Sequence, residues 1–148
     1  MMVRTHVWIS MGHRLRDYTG DCKFLHGHNY KVEVALAGEL DARGFVIDFR
    51  HLKAVLKDIL RQFDHAVCLR WDDPLVEHLR AEKYVLLNVN PTAEALAQLW
   101  YMLLAKSAIV EQSRLLLKVE VWETETGVAA CSSYHEDVVI YASNTGEI

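Results

Sequence analysis

Three histidines are the residues of this 148-residue chain whose spacing most directly indicates chemistry. His26 and His28 flank Gly27, and residues two apart on a β-strand point to the same side, so both imidazoles can reach one ion. His13 ends an earlier alternating segment, and pairing of the two segments as a hairpin would bring it near both. Three neutral imidazoles leave a fourth tetrahedral position open, as in catalytic zinc sites. Unrelated surface or core histidines give the same His-x-His pattern, so that interpretation stays open.

A cysteine lies close to this pattern. Cys22 precedes His26 by four residues in the polar, turn-rich segment 14–25. It can be a fourth ligand, a general base or nucleophile, or a thiol without a role, and a nearby cation would favour the reactive thiolate form. Cys68 and Cys131 have no comparable neighbours. The three cysteines form no Cys-x-x-Cys pair and no disulfide framework, which is typical of a reducing compartment.

Two further carboxylate residues, Asp64 and Glu123, each allow two interpretations. Asp64 beside His65 can form a proton relay, but a histidine at a helix end also interacts favourably with the helix dipole, and the dipeptide alone favours that second interpretation. Glu123 continues the apolar face of a strand, where a carboxylate is costly unless something pairs with it. A ligand with an amino-amide edge could pair with Glu123; equally, the strand could end earlier and leave Glu123 in water.

The elements that position these residues follow from hydrophobic periodicity. Alternation predicts strands at 3–13, 25–38, 115–124 and 138–141. Asp48 is predicted to cap an amphipathic helix that extends to Phe63. Asn90 and Pro91 are predicted to begin a second helix, Asn90 as its cap and Pro91 in its first turn.

The segment 66–90 is ambiguous in sequence. Asp72-Asp73-Pro74 marks a turn, 75–79 is compatible with a short helix, and 84–89 is compatible with a strand. The order of elements predicts an α+β fold, with an antiparallel sheet that carries both helices on one face. We find no linker or repeat and therefore expect one domain over 1–148.

Composition excludes several classes of protein. Apolar residues make up 51% and charged residues 24%, as in ordinary globular domains. The formal net charge of -4 argues against a nucleic-acid partner. No apolar run approaches the roughly 20 residues of a membrane span, and the first residues lack a signal-peptide core. We therefore expect a soluble cytoplasmic protein without a nucleic-acid or membrane partner.

Taken in order, these motifs resemble the 6-pyruvoyl-tetrahydropterin synthase / 6-carboxytetrahydropterin synthase family. The matching segments are Gly12-His13-Arg14-Leu15, 22–30 with Cys22 and His26-Gly27-His28, 44–49, Asp64-His65, 90–94 and Val121-Trp122-Glu123-Thr124. The resemblance covers nearly the whole chain and implies a tunnelling fold. Such a fold has a four-stranded antiparallel sheet with two helices packed on one face. Its subunits assemble into an oligomeric barrel, a hexamer, with active sites between subunits.

The resemblance also implies a role for each candidate residue. The zinc ligands would be His13, His26 and His28. The catalytic base would be Cys22, and the proton relay would be Asp64 with His65. Glu123 would anchor the ring of a pterin substrate, with Thr92 and Thr124 as additional ring contacts.

Three residues separate Cys22 from His26, which resembles the bacterial carboxy-forming branch rather than the animal pyruvoyl-forming type with its longer insertion. The reaction so implied converts 7,8-dihydroneopterin triphosphate to 6-carboxy-5,6,7,8-tetrahydropterin, acetaldehyde and triphosphate, a step of queuosine (7-deazaguanine) biosynthesis. The segments 66–90 and 129–137 look longer than in compact members.

The sequence leaves three alternative functions open. They are a pyruvoyl-forming synthase, a zinc-dependent hydrolase that uses the open three-histidine site, and a pterin-binding protein without catalysis. The complete set of Cys22, Asp64-His65 and Glu123 argues against the last. No motif in the sequence identifies a binding site for the triphosphate. Arg14, Lys23 and Arg50 are candidates, although solvated surface charge is the commoner role for each.

Overall fold

The computed structural model of the protein describes residues 1–79, 82–111, 116–133 and 135–144. The strands in these ranges are β1 (Met2–His13), β2 (His26–Ala37), β3 (Ala66–Arg70), β4 (Tyr84–Leu87), β5 (Leu116–Trp122), β6 (Val128–Cys131) and β7 (Ile140–Asn144). The helices are α1 (Phe49–Leu60), α2 (Ala93–Ala105) and the short α3 (Ala108–Glu111). Two 3-10 helices cover Asp21–Lys23 and Pro74–His78. No helix in the described ranges is long and apolar enough to cross a membrane.

The predicted hairpin of the first two strands is confirmed. β1 and β2 pair antiparallel from Met2 opposite Ala37 to His13 opposite His26. Their side chains alternate as period two requires, so that Val7 is buried while its neighbour Trp8 is exposed. This register places the two histidine-bearing strand ends side by side.

Both long helices cover the same face of the sheet, as predicted. Asp48 caps α1, because its side chain accepts a hydrogen bond from the Arg50 N–H at 2.8 Å. Leu52, Leu56 and Leu60, at helical spacing, then enter one buried cluster with α2 and the inner faces of β1, β2 and β5. Burial of each such leucine contributes about 1.5–3 kcal/mol to the hydrophobic driving force. The cluster fixes the helices against the sheet.

The sheet is larger than the predicted four-stranded antiparallel sheet. In the described ranges it has seven strands in the order β6-β5-β2-β1-β3-β4-β7. Its β6-β5-β2-β1 half is antiparallel, whereas β3 runs parallel to β1 and β4 parallel to β3, with β7 antiparallel at the edge. The β3 sequence is a short apolar run without alternation, which periodicity cannot distinguish from a buried helix segment.

The start of α2 also differs from the prediction. Thr92 is the cap, since its hydroxyl accepts a hydrogen bond from the Ala95 N–H at 3.3 Å. Asn90 instead binds the backbone of Arg16, accepting from its N–H at 2.9 Å and donating to its carbonyl at 2.8 Å. Pro91 therefore precedes the helix, and its carbonyl is free to contact β1.

Strand ends shift by a few residues at the C-terminal side. β5 ends at Trp122, two residues before the predicted end, and the predicted first residue Leu115 lies outside the described residues. The last strand is Ile140–Asn144 rather than 138–141, because Val138 turns into the core and is only 5% exposed. A short helix at Pro74–His78 and a strand at Tyr84–Leu87 agree with the expectations for 66–90.

A buried ion pair joins the loop after β1 to the segment after β3. The side chain of Asp73 is 1% exposed and accepts hydrogen bonds from both Arg14 Nε, at 2.8 Å, and Arg14 Nη2. The Leu75 N–H adds a third bond at 2.8 Å. Burial by itself would raise the pKa of Asp73, but these hydrogen bonds outweigh it and lower that pKa.

We expect Asp73→Ala to lower the free energy of unfolding at pH 7 by about 2–3 kcal/mol, because Arg14 would lose its buried partner. The folded pKa of Asp73 lies below its unfolded value of about 3.9, so the stabilisation is present above that value and is lost as the pH falls through the folded pKa. Urea unfolding at pH 7 and pH 3 measures both effects. The control Asp58→Ala, at an exposed pair with Arg61, should change stability by less than about 0.5 kcal/mol. Equal losses in the two variants would contradict the assignment.

Candidate active site

The β1–β2 register brings the three predicted histidines together. His13 lies opposite His26 at the end of the hairpin, and His28 follows on the same face of β2. The ring nitrogens His13 Nε2 and His26 Nε2 are 3.0 Å apart, and one ligand atom from each of the three residues lies within 4.8 Å of the others. His13 is buried, while His26 and His28 are half-buried. This cluster can bind a metal ion.

Backbone carbonyls orient two of the three rings. His13 Nδ1 is 2.8 Å from the Pro91 carbonyl, and His26 Nδ1 is 2.8 Å from the Phe24 carbonyl. A carbonyl only accepts, so each Nδ1 carries the hydrogen and each Nε2 presents a lone pair to the shared space. Such second contacts typically fix metal-ligating histidines. The residues present therefore fit a divalent cation that prefers nitrogen ligands.

Burial lowers the pKa of His13, against the opposing effects of the Pro91 carbonyl and the Glu123 carboxylate. His13 is therefore biased towards the neutral form, in which it can act as a ligand. The neighbouring His26 and His28 act in the same direction as burial.

A buried tyrosine connects the histidines to a carboxylate. The Tyr30 hydroxyl lies 3.3 Å from Glu123 Oε1 and 3.2 Å from His13 Nδ1, and Tyr30 is fully buried. Because a carboxylate accepts, the Tyr30 hydroxyl donates to Glu123, and it also lies 3.3 Å from His13 Nε2. Desolvation, with Glu123 next, raises the pKa of Tyr30 and keeps it a neutral donor. Glu123 Oε1 is also 3.4 Å from His13 Nε2.

Glu123 lies just beyond the end of β5 and is 30% exposed. Its own N–H donates to the Gly127 carbonyl at 3.1 Å, which closes the turn before β6. Of the two sequence interpretations, the geometry favours the first: Glu123 continues the inner face and points towards His13. One of its oxygens contacts Tyr30, which leaves acceptor capacity for a ligand.

A cavity of about 400 Å³ joins several of the candidates. The predicted site residues in its wall are His13, Cys22, Thr92 and Glu123. Val128 and Ala129 of β6 close another side of it. Cys22 lies in the 3-10 helix of the loop, whose backbone is held by the 2.8 Å bond from the Leu15 N–H to the Cys22 carbonyl. A thiol, an imidazole and a carboxylate therefore share one partly enclosed space.

Asp64 and His65 lie elsewhere, at the edge of β1. Asp64 Oδ1 accepts from the Ser10 N–H at 2.9 Å and is 3.1 Å from His65 Nδ1. His65 has φ +58°, a left-handed conformation that a non-glycine residue rarely adopts, and its N–H donates to the Ser10 carbonyl at 2.6 Å. Its side chain is 80% exposed. Within the described part of the chain, neither residue lines the cavity that contains Cys22.

Asp64 borders a second depression, which we call the α1 groove. This groove has a volume of about 400 Å³ and lies between β1 and α1. Its polar lining residues are His6, Lys53, Lys57, Arg61 and Asp64, beside the indole of Trp8. The α1 groove is therefore predominantly cationic, unlike the chain as a whole.

Thr124 is not brought to the cavity either. Its hydroxyl accepts from the Gly127 N–H at 2.9 Å, and it borders a depression on the opposite side with Trp8 and Trp122.

The sequence did not predict a role in the site for Tyr30 or for the Pro91 carbonyl. Period two on β2 puts Tyr30 on the face of His28 and was a usable signal for it. No local pattern indicates the Pro91 contact.

Comparison with known proteins gives a consistent assignment. The family model for 6-pyruvoyl tetrahydropterin synthase matches residues 2–133. A protein of Aquifex aeolicus named 6-carboxy-5,6,7,8-tetrahydropterin synthase is 37% identical over 121 residues, which are 73% of this chain and 74% of that protein. One of Rickettsia conorii with the same name is 34% identical over 119 residues, 76% of this chain and 86% of that protein.

Solved structures agree in fold. The 6-pyruvoyl tetrahydropterin synthase of Plasmodium falciparum superimposes with a TM-score of 0.73 at 21% identity, over 91% of this chain and 98% of that one. An uncharacterised protein of Wolinella succinogenes gives a TM-score of 0.74 at 24% identity, over 89% and 97%. The chain therefore belongs to the 6-pyruvoyl tetrahydropterin synthase family and is, as its motifs predicted, a lyase-type enzyme of pterin synthesis.

Proposed function

We propose that the protein converts 7,8-dihydroneopterin triphosphate and water to 6-carboxy-5,6,7,8-tetrahydropterin, acetaldehyde and triphosphate, in the cytoplasmic synthesis of queuosine. The observation that carries the proposal is one shared space for His13, Cys22 and Glu123. Relatives that are 32–37% identical and are named 6-carboxy-5,6,7,8-tetrahydropterin synthase support the carboxy-forming branch. The three free cysteines agree with a reducing cytoplasm.

The residues that would hold Zn²⁺ are His13, His26 and His28. The Nε2 atoms of His13 and His26 are 3.0 Å apart, and a ligand atom of His28 lies within 4.8 Å of a ligand atom of each. Three neutral imidazoles leave room for a further oxygen ligand. When bound, the ion would supply Lewis-acid polarisation of the hydroxyl groups on the pterin side chain.

Glu123 would bind the pterin ring. A carboxylate accepts two parallel hydrogen bonds, which matches the 2-amino group and ring N–H of a pterin. Tyr30 holds Glu123 Oε1 in place, so the ring edge would meet a carboxylate of fixed orientation. Anchoring the ring in this way would restrict the orientation of the reacting side chain relative to His13, which is 3.4 Å from Glu123. Thr92 also lines this cavity and is proposed as an additional ring contact. Thr124 lines a different depression, so its proposed contact with the ring would have to be made from outside this cavity.

Cys22 would act as the base. Its thiolate would take the proton from the first carbon of the side chain, and the cavity places it in the same wall as His13. Asp64 would orient His65 through the 3.1 Å contact, and His65 would deliver or remove the partner proton. Because His65 does not line the Cys22 cavity of its own chain, we propose that a second subunit supplies it.

The sheet has the open edges that such an assembly needs. β3 pairs with β1 only over Met11–His13, so the long N-terminal part of β1 has no strand partner on that side in the described chain. β6 is the opposite edge strand. Pairing β1 of one copy with β6 of the next would place the Cys22 cavity, which β6 borders, against the α1 groove and Asp64. We therefore propose a barrel-shaped homo-oligomer, a hexamer, with active sites between subunits.

Product analysis tests the reaction directly. Incubation of the zinc-loaded protein with 7,8-dihydroneopterin triphosphate should release acetaldehyde and 6-carboxytetrahydropterin, which chromatography with mass detection identifies. Triphosphate release without acetaldehyde would assign the protein to pyruvoyl-forming chemistry. Hydrolysis of an unrelated ester, with no pterin product, would assign the open metal site to a hydrolase.

Two substitutions separate base from ligand. Cys22→Ala should reduce turnover by at least about 10²-fold, since a general base contributes that much, while zinc content remains at the wild-type level. His26→Ala should lower both zinc content, measured by plasma emission spectrometry, and turnover. Loss of zinc from Cys22→Ala would make Cys22 a ligand, and full zinc content in His26→Ala would refute the three-histidine site.

Mixing inactive variants tests the shared active site. Cys22→Ala and His65→Ala homo-oligomers should each be nearly inactive. Hybrids formed by mixing dissociated subunits should recover about a quarter of wild-type activity, because one site in four combines an intact Cys22 with an intact His65 from the neighbour. If both residues acted within one chain, the mixture would stay inactive. Each variant mixed with itself is the control.

A further inference from the structure

A triphosphate substrate creates a charge problem for this protein. The chain has a formal net charge of -4, so it attracts a polyanion only through a local excess of cations. Two of the three cations that the sequence offered are paired with carboxylates: Arg14 binds Asp73, and Arg50 binds Asp48 at 3.2 Å. The third, Lys23, lies over the Phe24 ring with its ammonium 5.0 Å from the centroid. Each of these three cations therefore already contacts a carboxylate or an aromatic ring.

The α1 groove provides a different group of cations. Lys53, Lys57 and Arg61 follow one another at four-residue spacing, so they project from one side of α1 and its last turn over about 12 Å. Within the described chain, neither lysine has an ion-pair partner, and both are exposed. The Arg61 guanidinium has an exposed contact with Asp58 at 3.3 Å. Unpaired cations along one wall of a depression favour an extended anion.

The acidic residue in the groove does not cancel this charge. Asp64 is the single carboxylate in the groove lining, and its Oδ1 is already held by the Ser10 N–H and the His65 ring. Three cations therefore line the groove together with one carboxylate. Under the proposed function, Asp64 and His65 act on the same side chain that carries the triphosphate. The groove that carries these cations therefore adjoins a residue proposed to act on that side chain.

We propose that Lys53, Lys57 and Arg61 form the binding site for the triphosphate group of the substrate. The proposal rests on the proposed function for the identity of that substrate. In the proposed assembly this site belongs to the copy that supplies Asp64 and His65, while the neighbouring copy supplies Cys22 and Glu123. Each subunit would then bind the ring of one substrate molecule and the phosphates of another.

Inorganic tripolyphosphate is the probe that tests this site. Calorimetric titration of the wild-type oligomer at low ionic strength should show binding, and the double variant K53Q/K57Q should bind roughly tenfold more weakly or worse, because charged contacts to phosphate are lost. Lys118→Gln removes a lysine of β5 that pairs with Glu120 and should leave the affinity unchanged. Lys53 and Lys57 are exposed and Lys118 is half-buried, and circular dichroism checks the fold of each variant. Equal affinity in wild type and K53Q/K57Q, or no binding to wild type, overturns the proposal.

Kinetics separate this inference from the proposed function. With 7,8-dihydroneopterin triphosphate, K53Q/K57Q should raise KM about tenfold, while its affinity for unphosphorylated neopterin stays at the wild-type value. A wild-type KM in the double variant, with acetaldehyde still formed, would refute triphosphate binding in the α1 groove and leave the proposed function intact. Lysine-dependent tripolyphosphate binding in a protein that does not turn over the pterin would support the groove as an oligophosphate site and refute the proposed reaction.

Discussion

The close approach of the His13 and His26 lone pairs, beside a ring nitrogen of His28, is the constraint on which the site depends. Two Nε2 atoms 3.0 Å apart, each with its hydrogen on the opposite nitrogen, repel each other unless a positive charge lies between them. The fold keeps the two rings close in spite of this repulsion, through contacts that lie away from the Nε2 atoms. The antiparallel register fixes His13 opposite His26, and the carbonyls of Phe24 and Pro91 fix the ring orientations. The fold thus builds a preference for a cation into the end of a hairpin.

Each supporting contact ties the site to a different part of the core. Pro91 can reach His13 because α2 begins only after it, and α2 is fixed by the buried cluster beneath the sheet. Asn90, next to it, holds the backbone of Arg16 and so orders the loop that carries Cys22. The core therefore determines more than stability, since a shift of α2 would turn the ring of His13. This explains why a residue far along the chain orients a side chain near its beginning.

Much of this site was accessible from the sequence, and the reason is local periodicity. Period two predicted that His26 and His28 share a face, and hairpin pairing predicted that His13 joins them. The same period would have selected Tyr30, but a buried tyrosine in a strand is ordinary and gives no chemical signal. The contacts between distant segments could not be predicted from the sequence. β3 has no alternation that would identify it as a strand, and the location of Asp64 and His65 depends on the parallel register of β3 on β1. The cap of α2 moved to Thr92 because Asn90 had a distant partner.

The hydroxyl of Tyr30 has a consequence for how ligands influence one another. It is shared between the environment of His13 and the carboxylate of Glu123. Any ligand that turns the His13 ring changes the environment of that hydroxyl, and therefore the hydrogen-bonding capacity that Glu123 offers. Thermodynamic linkage makes such an influence reciprocal, so occupancy at Glu123 alters affinity at the histidines by the same factor. In the proposed function, this buried phenol and the 3.4 Å contact between Glu123 and His13 would couple the two binding sites without movement of the backbone.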